Sequence, residues 1–224
     1  MAVQTTMDRR RFLRSVGIAA APFVVPSVVL GGDTVRAPSD RITVGCIGVG
    51  KMGTGNLKGF LWTSGVQVVA VCDVDGKRCG KARDMVNSHY AKERESGMYS
   101  GCTAHSDFRE IISRDDIDVV VISTADHWHV LTALAAVRSG KDVYVEKPLS
   151  VTIAEGRVLS DAAHRYGRVV QMGSQQRSDQ RFRFACELVR NGRLGEIKHV
   201  KVGLSQGKRM GGCSGNARPQ RVRL

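Results

Sequence analysis

Two short stretches of the sequence hold residue types that could do chemistry. GVGKMG, at residues 48–53, spaces three glycines so that a backbone turn can approach a phosphate closely. EKP, at residues 146–148, offers a lysine ammonium that can supply positive charge as an alkoxide forms, next to a proline that shapes the turn. Neither is decisive alone, because 25 of the 224 residues are glycine and a strand-end lysine is often only solvated. The strands and helices predicted around them indicate whether they form a ligand site.

Apolar runs typical of strands alternate with helical segments from residue 41 onward. Strands are predicted at residues 42–49, 66–73, near 103, and at 118–123, 142–147 and 168–173. Helices are predicted at residues 51–62, 76–96, 108–113, 130–139, 153–166 and 179–191. This alternation predicts an α/β fold with a Rossmann-type, doubly wound parallel sheet. Because the carboxyl ends of parallel strands share one edge, both chemical stretches fall where ligands bind.

The glycine stretch gains a definite role within that fold. Gly48 permits a tight turn, Gly50 lets the backbone approach a pyrophosphate, and Gly53 lets the following helix pack on the strand. Asp73 ends the second strand, where a carboxylate can accept hydrogen bonds from an adenosine ribose and repels a 2′-phosphate. The pattern therefore predicts NAD as the cofactor. NADP stays open, because two basic residues follow at positions 77 and 78 and either can meet a 2′-phosphate.

A third polar stretch, STADHWHV at residues 123–130, follows the fourth predicted strand. Its Thr124, Asp126 and His129 are placed where a dinucleotide would pass. The two histidines invite a metal-site interpretation, but no acidic or cysteine partner shares a ligand spacing, so no metal is predicted. The remaining alternative is a polar cluster that begins a helix and contacts no ligand.

The formal net charge of +13 raises the question of nucleic-acid binding, and the location of the charge argues against it. Residues 1–31 carry four arginines and one aspartate, and residues 205–224 carry five basic residues and no acid. Elsewhere basic and acidic side chains are interspersed, as on a solvated surface. No zinc-finger, helix-turn-helix or RNA-recognition pattern accompanies the charge. The sequence therefore favours a small-molecule ligand over a nucleic acid.

The first 31 residues have the pattern of an export signal. Arg9 and Arg10 precede Phe12, Leu13 and an apolar run at residues 16–30 that contains two prolines. This run is too short and too interrupted to span a membrane comfortably, so no stable membrane span is predicted. The paired arginines resemble the twin-arginine signal, which exports proteins that are already folded. We therefore expect a periplasmic protein of a bacterium, with an ordinary secretory signal or a membrane anchor as the alternatives.

Six cysteines in a chain with an export signal raise the question of disulfides. Cys46 and Cys72 fall inside apolar strand runs, the other four are scattered, and no C-x-x-C occurs. We therefore predict buried, inert thiols rather than disulfides or a zinc site.

Four motifs in order, GVGKMG, VCDVD, STADHWH and VEKPLS, resemble the Gfo/Idh/MocA family of nicotinamide-dependent oxidoreductases. The resemblance covers about residues 41–204, and the glutamate-lysine-proline element is its most specific part. Ala125 departs from the proline that is usual in the third motif. The resemblance implies that a hydride moves between NAD or NADP and a hydroxyl-bearing carbon of a sugar or cyclitol. Lys147 would then be the catalytic residue, beside the nicotinamide and the reacting carbon.

The resemblance also implies a set of cofactor contacts. The pyrophosphate would meet the glycine turn, Asp73 would meet the adenosine ribose, and Glu146 would assist Lys147. MGSQQR, at residues 172–177, matches an element near the nicotinamide, with Gln175 where an asparagine is common. The full predicted set is Gly48, Val49, Gly50, Lys51, Met52, Gly53, Asp73, Thr124, Asp126, His129, Glu146, Lys147 and Gln175.

The predicted segments are a signal peptide (1–31), a linker (32–40), an NAD(P)-binding domain (41–173), the start of a truncated C-terminal α/β domain (174–204) and an irregular basic tail (205–224). In the family that second domain supplies the acid/base residue. Three functions therefore stay open: a sugar or cyclitol dehydrogenase, an inactive nucleotide-binding fragment, and a glycosidase that uses NAD in a redox-assisted elimination. A strand predicted at residues 197–204 without its sheet also predicts a homo-oligomer or aggregation.

Overall fold

A computed structural model describes residues 40–202, and the predicted signal peptide and basic tail lie outside them. The 3-10 helices Asp126–Trp128 and Gln175–Ser178 accompany the main elements. No helix within the described residues is long and apolar enough to cross a membrane. The main elements in chain order are β1 (Ile42–Ile47), α1 (Lys51–Leu61), β2 (Val66–Cys72), α2 (Gly76–His89), α3 (Ala91–Glu95), β3 (Thr103–His105), α4 (Phe108–Ile112), β4 (Val119–Ile122), α5 (His129–Arg138), β5 (Asp142–Glu146), α6 (Ile153–Tyr166), β6 (Val170–Gly173) and α7 (Gln180–Arg190).

The six strands form one parallel sheet in the order β3-β2-β1-β4-β5-β6. This order confirms the predicted Rossmann-type α/β fold. From β1 the chain adds β2 and then β3 on one side of the sheet. It then returns to place β4 beside β1 and adds β5 and β6 on the other side. The crossing leaves a crevice beyond the carboxyl ends of β1 and β4, where sheets of this kind bind ligands.

The rotation of α1 is fixed by the residues it buries. Gly53, Leu57 and Leu61, spaced four residues apart, are the buried positions of this helix and therefore lie on one face. Strands β2 and β4 are also buried, with Val68 and Val120 fully inaccessible to solvent. Burial on both faces accounts for their continuous apolar sequences. Packing of Gly53, Leu57 and Leu61 fixes the position of α1 on the sheet, and hence the place where its first backbone N–H groups lie.

The helix predicted at residues 76–96 is wrong as a single element, since Tyr90 divides it into α2 and α3. Tyr90 leaves helical geometry with φ −97° and ψ 27°, and its ring is only 7% exposed. Its hydroxyl lies 3.4 Å from both the Val68 N and the Val66 O, and its ring centroid lies 4.7 Å from that of Tyr99. Burial of one aromatic side chain under β2 therefore ends the helix.

The described chain divides into two compact units, up to Ser174 and from Gln175 onward. In the second unit Asp179 caps α7 by accepting a hydrogen bond from the Arg181 N at 2.8 Å. The strand predicted at residues 197–204 is not formed at residues 197–202. A single strand needs a neighbouring strand for its backbone hydrogen bonds, and the described residues of this unit supply none. The self-association that was predicted from that strand stays a prediction.

Four of the five described cysteines are buried free thiols, as predicted, whereas the free thiol of Cys186 is exposed and its predicted burial is wrong. Burial raises the pKa of the Cys72 and Cys102 thiols to about 12, and raises that of Cys46 further. These three thiols therefore stay protonated near neutral pH and lack the nucleophilic thiolate form.

We expect iodoacetamide at pH 8 to leave Cys46, Cys72 and Cys102 unmodified in the folded protein and to modify all three in denaturant. The same raised pKa values predict an alkaline loss of stability. The unfolded thiols ionise from about pH 8.5, so stability falls as the pH rises from there toward about 12, where Cys72 and Cys102 ionise in the folded state. Mass spectrometry of the labelled peptides checks the first expectation. Modification of Cys72 in the native protein would contradict it.

Candidate functional site

The turn after β1 can be built only with glycine at its first position. Gly48 has φ +83°, and a Cβ there would lie 2.6 Å from the Ser123 backbone O. Its N–H donates to the Cys72 O at 2.8 Å, which ties the turn to the end of β2. The turn therefore lies in the crevice between the carboxyl ends of β1, β2 and β4.

The start of α1 is packed directly on this turn. A Cβ on Gly53 would lie 1.8 Å from the Gly48 O, so only glycine allows the approach. Gly50 is the N-cap and no side chain caps the helix, whose first turn also contains no acidic residue. The N–H groups of Lys51, Met52 and Gly53 are therefore available to an anion, whereas the Thr54 N already donates to the Gly50 O at 2.8 Å. Backbone cradle and uncapped helix together fit the pyrophosphate of a dinucleotide.

The carboxylate of Asp73 anchors the glycine turn. Its Oδ2 accepts a hydrogen bond from the Val49 N at 2.8 Å, and its Oδ1 accepts one from the Asp75 N at 2.9 Å. Each carboxylate oxygen has a second lone pair that can still accept from a ribose hydroxyl. Asp73 thus combines the predicted ribose-facing position with a structural bond that sequence reasoning missed.

A cleft of about 590 Å³ extends from the glycine turn across the sheet edge. Its polar lining includes Gly48, Gly50, Asp73, Ser123 and Thr124. The cleft therefore brings together the first, second and fourth strand ends that the sequence singled out.

One wall of the cleft is aromatic and was missed by sequence reasoning. Phe108 and Trp128 line it with their ring centroids 6.1 Å apart, and the Arg109 guanidinium carbon lies 4.8 Å from the centre of the Phe108 ring. Such a wall suits the flat apolar face of a nucleobase. The sequence position of Phe108 could have indicated this wall, because Phe108 begins a helix just after β3 and the carboxyl end of β3 lies at the same edge of the sheet as the cleft.

Of the two basic residues that left NADP open, the structure brings only Arg78 to the cleft lining. Its Nη1 lies 3.9 Å from the place a Cβ on Gly50 would occupy. Its Nε lies 3.4 Å from Asp75 Oδ2 in a solvent-exposed ion pair. Such pairs contribute little energy and exchange easily, so Arg78 can turn toward a phosphate.

The end of β5 holds the predicted catalytic lysine. Glu146 is only 4% exposed, and its Oε2 accepts a hydrogen bond from the Lys147 N at 3.2 Å. Its Oε1 accepts one from Asn56 Nδ2 at 2.9 Å, so this strand end is joined to α1. The Lys147 side chain is exposed. Glu146 therefore positions the backbone of Lys147, and its contact with the cofactor stays a prediction.

His129 is buried between two loops, and its contact with the cofactor stays a prediction. Its ring is 1% exposed, with Nδ1 2.6 Å from the Pro148 O and Nε2 3.1 Å from the Thr124 O. A neutral ring donates to one of these carbonyls and a protonated ring to both. Both nitrogens therefore face backbone, and His129 joins the loop after β4 to the loop after β5.

The other predicted residues are placed as follows. Thr124 lines the cleft, and Asp126 is exposed at the start of a 3-10 helix. Gln175 begins the second unit, and its contact with the cofactor stays a prediction. Within residues 40–202, no group of three or more His, Cys, Asp or Glu residues is arranged to hold a metal ion.

Replacing Asp73 by alanine is expected to destabilise the protein by about 1–3 kcal/mol, because the N–H of buried Val49 loses its acceptor. NADH affinity should fall about tenfold or more through the lost ribose acceptor. Chemical denaturation and fluorescence titration measure the two effects. Asp84→Ala is the matched control, since Asp84 is exposed and its carboxylate pairs with the neighbouring, exposed Arg83. Equal stability of the two variants would contradict the anchoring role.

Comparisons with known proteins agree with this geometry. A family model described as an oxidoreductase family with an NAD-binding Rossmann fold matches residues 42–174. A glycosyl hydrolase family 109 protein of Shewanella pealeana is 30% identical over 208 residues, covering 86% of this chain and 45% of that protein. An alpha-N-acetylgalactosaminidase of Shewanella oneidensis is 28% identical over 211 residues with the same coverage.

The fold is also shared with a scyllo-inositol dehydrogenase from Lactobacillus casei, solved with NAD(H) and scyllo-inositol bound. The TM-score is 0.58 at 22% sequence identity, and the match covers 70% of this chain and 43% of that one. The chain thus spans less than half the length of these relatives. The family match takes in the glycine turn, Asp73 and the strand end at Lys147, and the chain belongs to the Gfo/Idh/MocA oxidoreductase family with an NAD-binding Rossmann domain.

Proposed function

We propose that this protein binds NAD in the cleft and serves hydride transfer at a hydroxyl-bearing carbon of a sugar or cyclitol. One observation carries the proposal: a glycine cradle with Asp73 and the strand end bearing Lys147 share one sheet edge, and Asn56 joins them. The bound nicotinamide would supply the hydride acceptor or donor. The chain itself supplies the binding, orientation and charge.

Lys147 is proposed to orient the substrate hydroxyl. Its backbone is held by Glu146 Oε2, whereas its side chain is exposed at the ligand-binding edge. Within the described residues no carboxylate forms an ion pair with its ammonium group, so that group is available to an oxygen that gains negative charge.

NAD is proposed as the preferred cofactor and NADP as a weaker ligand. Asp73 stands where a carboxylate repels a 2′-phosphate, whereas Arg78 on the same cleft attracts one. The carboxylate is fixed by two backbone N–H groups, and Arg78 is held only by an exposed ion pair. The fixed carboxylate of Asp73 should therefore outweigh Arg78 and favour NAD over NADP.

A redox-assisted glycosidase is the second candidate, favoured by the relatives named glycosyl hydrolase family 109 protein and alpha-N-acetylgalactosaminidase. Both candidates use the same hydride transfer at a sugar carbon, and they differ in whether a glycosidic bond then breaks. A nucleotide-binding protein without turnover is the third candidate.

Turnover assays separate the three candidates. The 224-residue protein is incubated with NAD and a panel of sugars and cyclitols while absorbance at the NADH wavelength is followed, and with nitrophenyl glycosides while nitrophenol is followed. Net NADH formation supports the dehydrogenase. Nitrophenol release that requires catalytic NAD, without net NADH, supports the glycosidase. Saturable NAD binding with neither signal supports the third candidate and would contradict the proposed hydride transfer by this chain.

We also propose export through the twin-arginine pathway, supported by Arg9 and Arg10 before an apolar run. Fractionation of a bacterium that expresses the tagged chain should place it in the periplasm. The double substitution of both arginines by lysine should retain it in the cytoplasm, and unchanged export of that variant would contradict the proposal.

A further inference from the structure

The side chain of Asn56 connects two strand ends, and no motif in the sequence pointed to it. It lies on α1, three residues after Gly53 and hence on nearly the same face of the helix. Its Nδ2 lies 3.0 Å from Ser123 Oγ and 2.9 Å from Glu146 Oε1. One amide group thus joins the phosphate-facing helix to the ends of both β4 and β5.

The orientation of this amide is fixed by Glu146. A carboxylate has only acceptors, so the amide nitrogen of Asn56, rather than its oxygen, must face it. Glu146 is 4% exposed, and a buried charge needs such donors. The amide nitrogen carries two hydrogens, and its two acceptors are Glu146 Oε1 and Ser123 Oγ. Asn56 is therefore a donor, and not an acceptor, toward Ser123.

The direction of this hydrogen bond determines whether the Ser123 hydroxyl donates or accepts toward a ligand. Its oxygen accepts from Asn56, so its own hydrogen points elsewhere. Among residues 40–202 the one hydrogen bond of its Oγ is the bond it accepts from Asn56, and Ser123 lines the cleft. Ser123 also packs under the glycine turn, because its Cβ lies 3.2 Å from the place a Cβ on Gly53 would occupy. The hydroxyl is thus a donor beside the pyrophosphate cradle.

We propose that Ser123 is a cofactor-binding residue that donates its hydroxyl hydrogen to the phosphate or ribose part of NAD, and that Asn56 is the positioning residue that keeps it a donor. This inference rests on the proposed NAD binding in the cleft. Asn56 thus donates to Glu146 and to Ser123, and Ser123 in turn donates to the ligand.

A double-mutant cycle read by NADH binding tests the inference without any turnover. The proteins are the wild type, Ser123→Ala, Asn56→Asp and the double variant, and NADH fluorescence titration gives each Kd. Ser123→Ala removes one oxygen and should weaken binding about three- to tenfold. Asn56→Asp replaces the donor by an acceptor that captures the hydroxyl hydrogen, so Ser123→Ala should then cause no further loss beyond about twofold.

The matched control is Asn87→Asp, at a half-buried asparagine on α2 whose Oδ1 accepts from the Cys102 N. It should leave the Kd and the effect of Ser123→Ala unchanged. Wild-type affinity in Ser123→Ala overturns the inference even where Asn56→Asp does not fold. Equal effects of Ser123→Ala with Asn56 and with Asp at position 56 overturn the positioning role, since a merely structural Asn56 gives additive losses. No NADH binding by the folded wild type overturns the proposed function as well.

Discussion

Substitution of Gly53 by alanine is expected to weaken NAD binding by at least about 100-fold, or to abolish it. The added Cβ would lie 1.8 Å from the Gly48 O, an overlap with backbone that no rotamer can relieve. The helix must move away from the turn, and overpacking of this kind costs about 1–3 kcal/mol of stability. The displaced N–H groups then no longer converge on one phosphate site. Calorimetric titration with NADH and thermal unfolding measure the two losses.

The same helix offers a matched control. Gly55 is exposed and a Cβ there meets nothing within 4 Å, so Gly55→Ala removes a helix-weakening glycine without a clash. It should raise stability by about 0.5–1 kcal/mol and leave NAD affinity unchanged. Opposite signs of stability change at two glycines only two residues apart would show that packing on the turn, and not helix propensity, is decisive. A Gly53→Ala protein that binds NADH like the wild type would contradict the proposed cradle.

The second large effect is expected at Lys147. Lys147→Met should reduce turnover about 10²- to 10³-fold with the substrate that the panel identifies, because the positive charge that faces the developing alkoxide is lost. The side chain is exposed and only its backbone N–H is bonded to Glu146, so folding should change by less than about 0.5 kcal/mol. NADH affinity should change little.

Lys58→Met is the control for Lys147→Met, since Lys58 is an exposed lysine in the last turn of α1. It should retain full turnover. A kcat of Lys147→Met equal to that of this control would show that Lys147 is only a solvated strand-end residue, which is the alternative that the sequence left open.

The fold could be predicted from the sequence because its signals are local. Continuous apolar runs such as that of β2 predict buried parallel strands, and glycines at three fixed positions predict the turn between β1 and α1. Gly48 and Gly53 have the roles predicted for them, since the first adopts a positive φ and the second allows the helix to approach the turn. These features depend on neighbours within a few residues.

The rest of the candidate site depends on contacts between residues far apart in the chain. The Asp73 bond to the Val49 N spans 24 residues, and the Asn56 bond to Glu146 spans 90. Neither follows from periodicity, because both require the strand order and the rotation of α1 to be known. For the same reason the sequence could not show that the His129 ring lies between two loops, with each ring nitrogen near a backbone carbonyl.

Isothermal titration of the folded 224-residue protein with NADH measures whether this chain holds NAD in the cleft. We expect saturable binding with one site per chain, lost in Gly53→Ala and kept in Gly55→Ala. A wild-type protein that is folded by circular dichroism and gives no saturable heat with NADH or NADPH would contradict it.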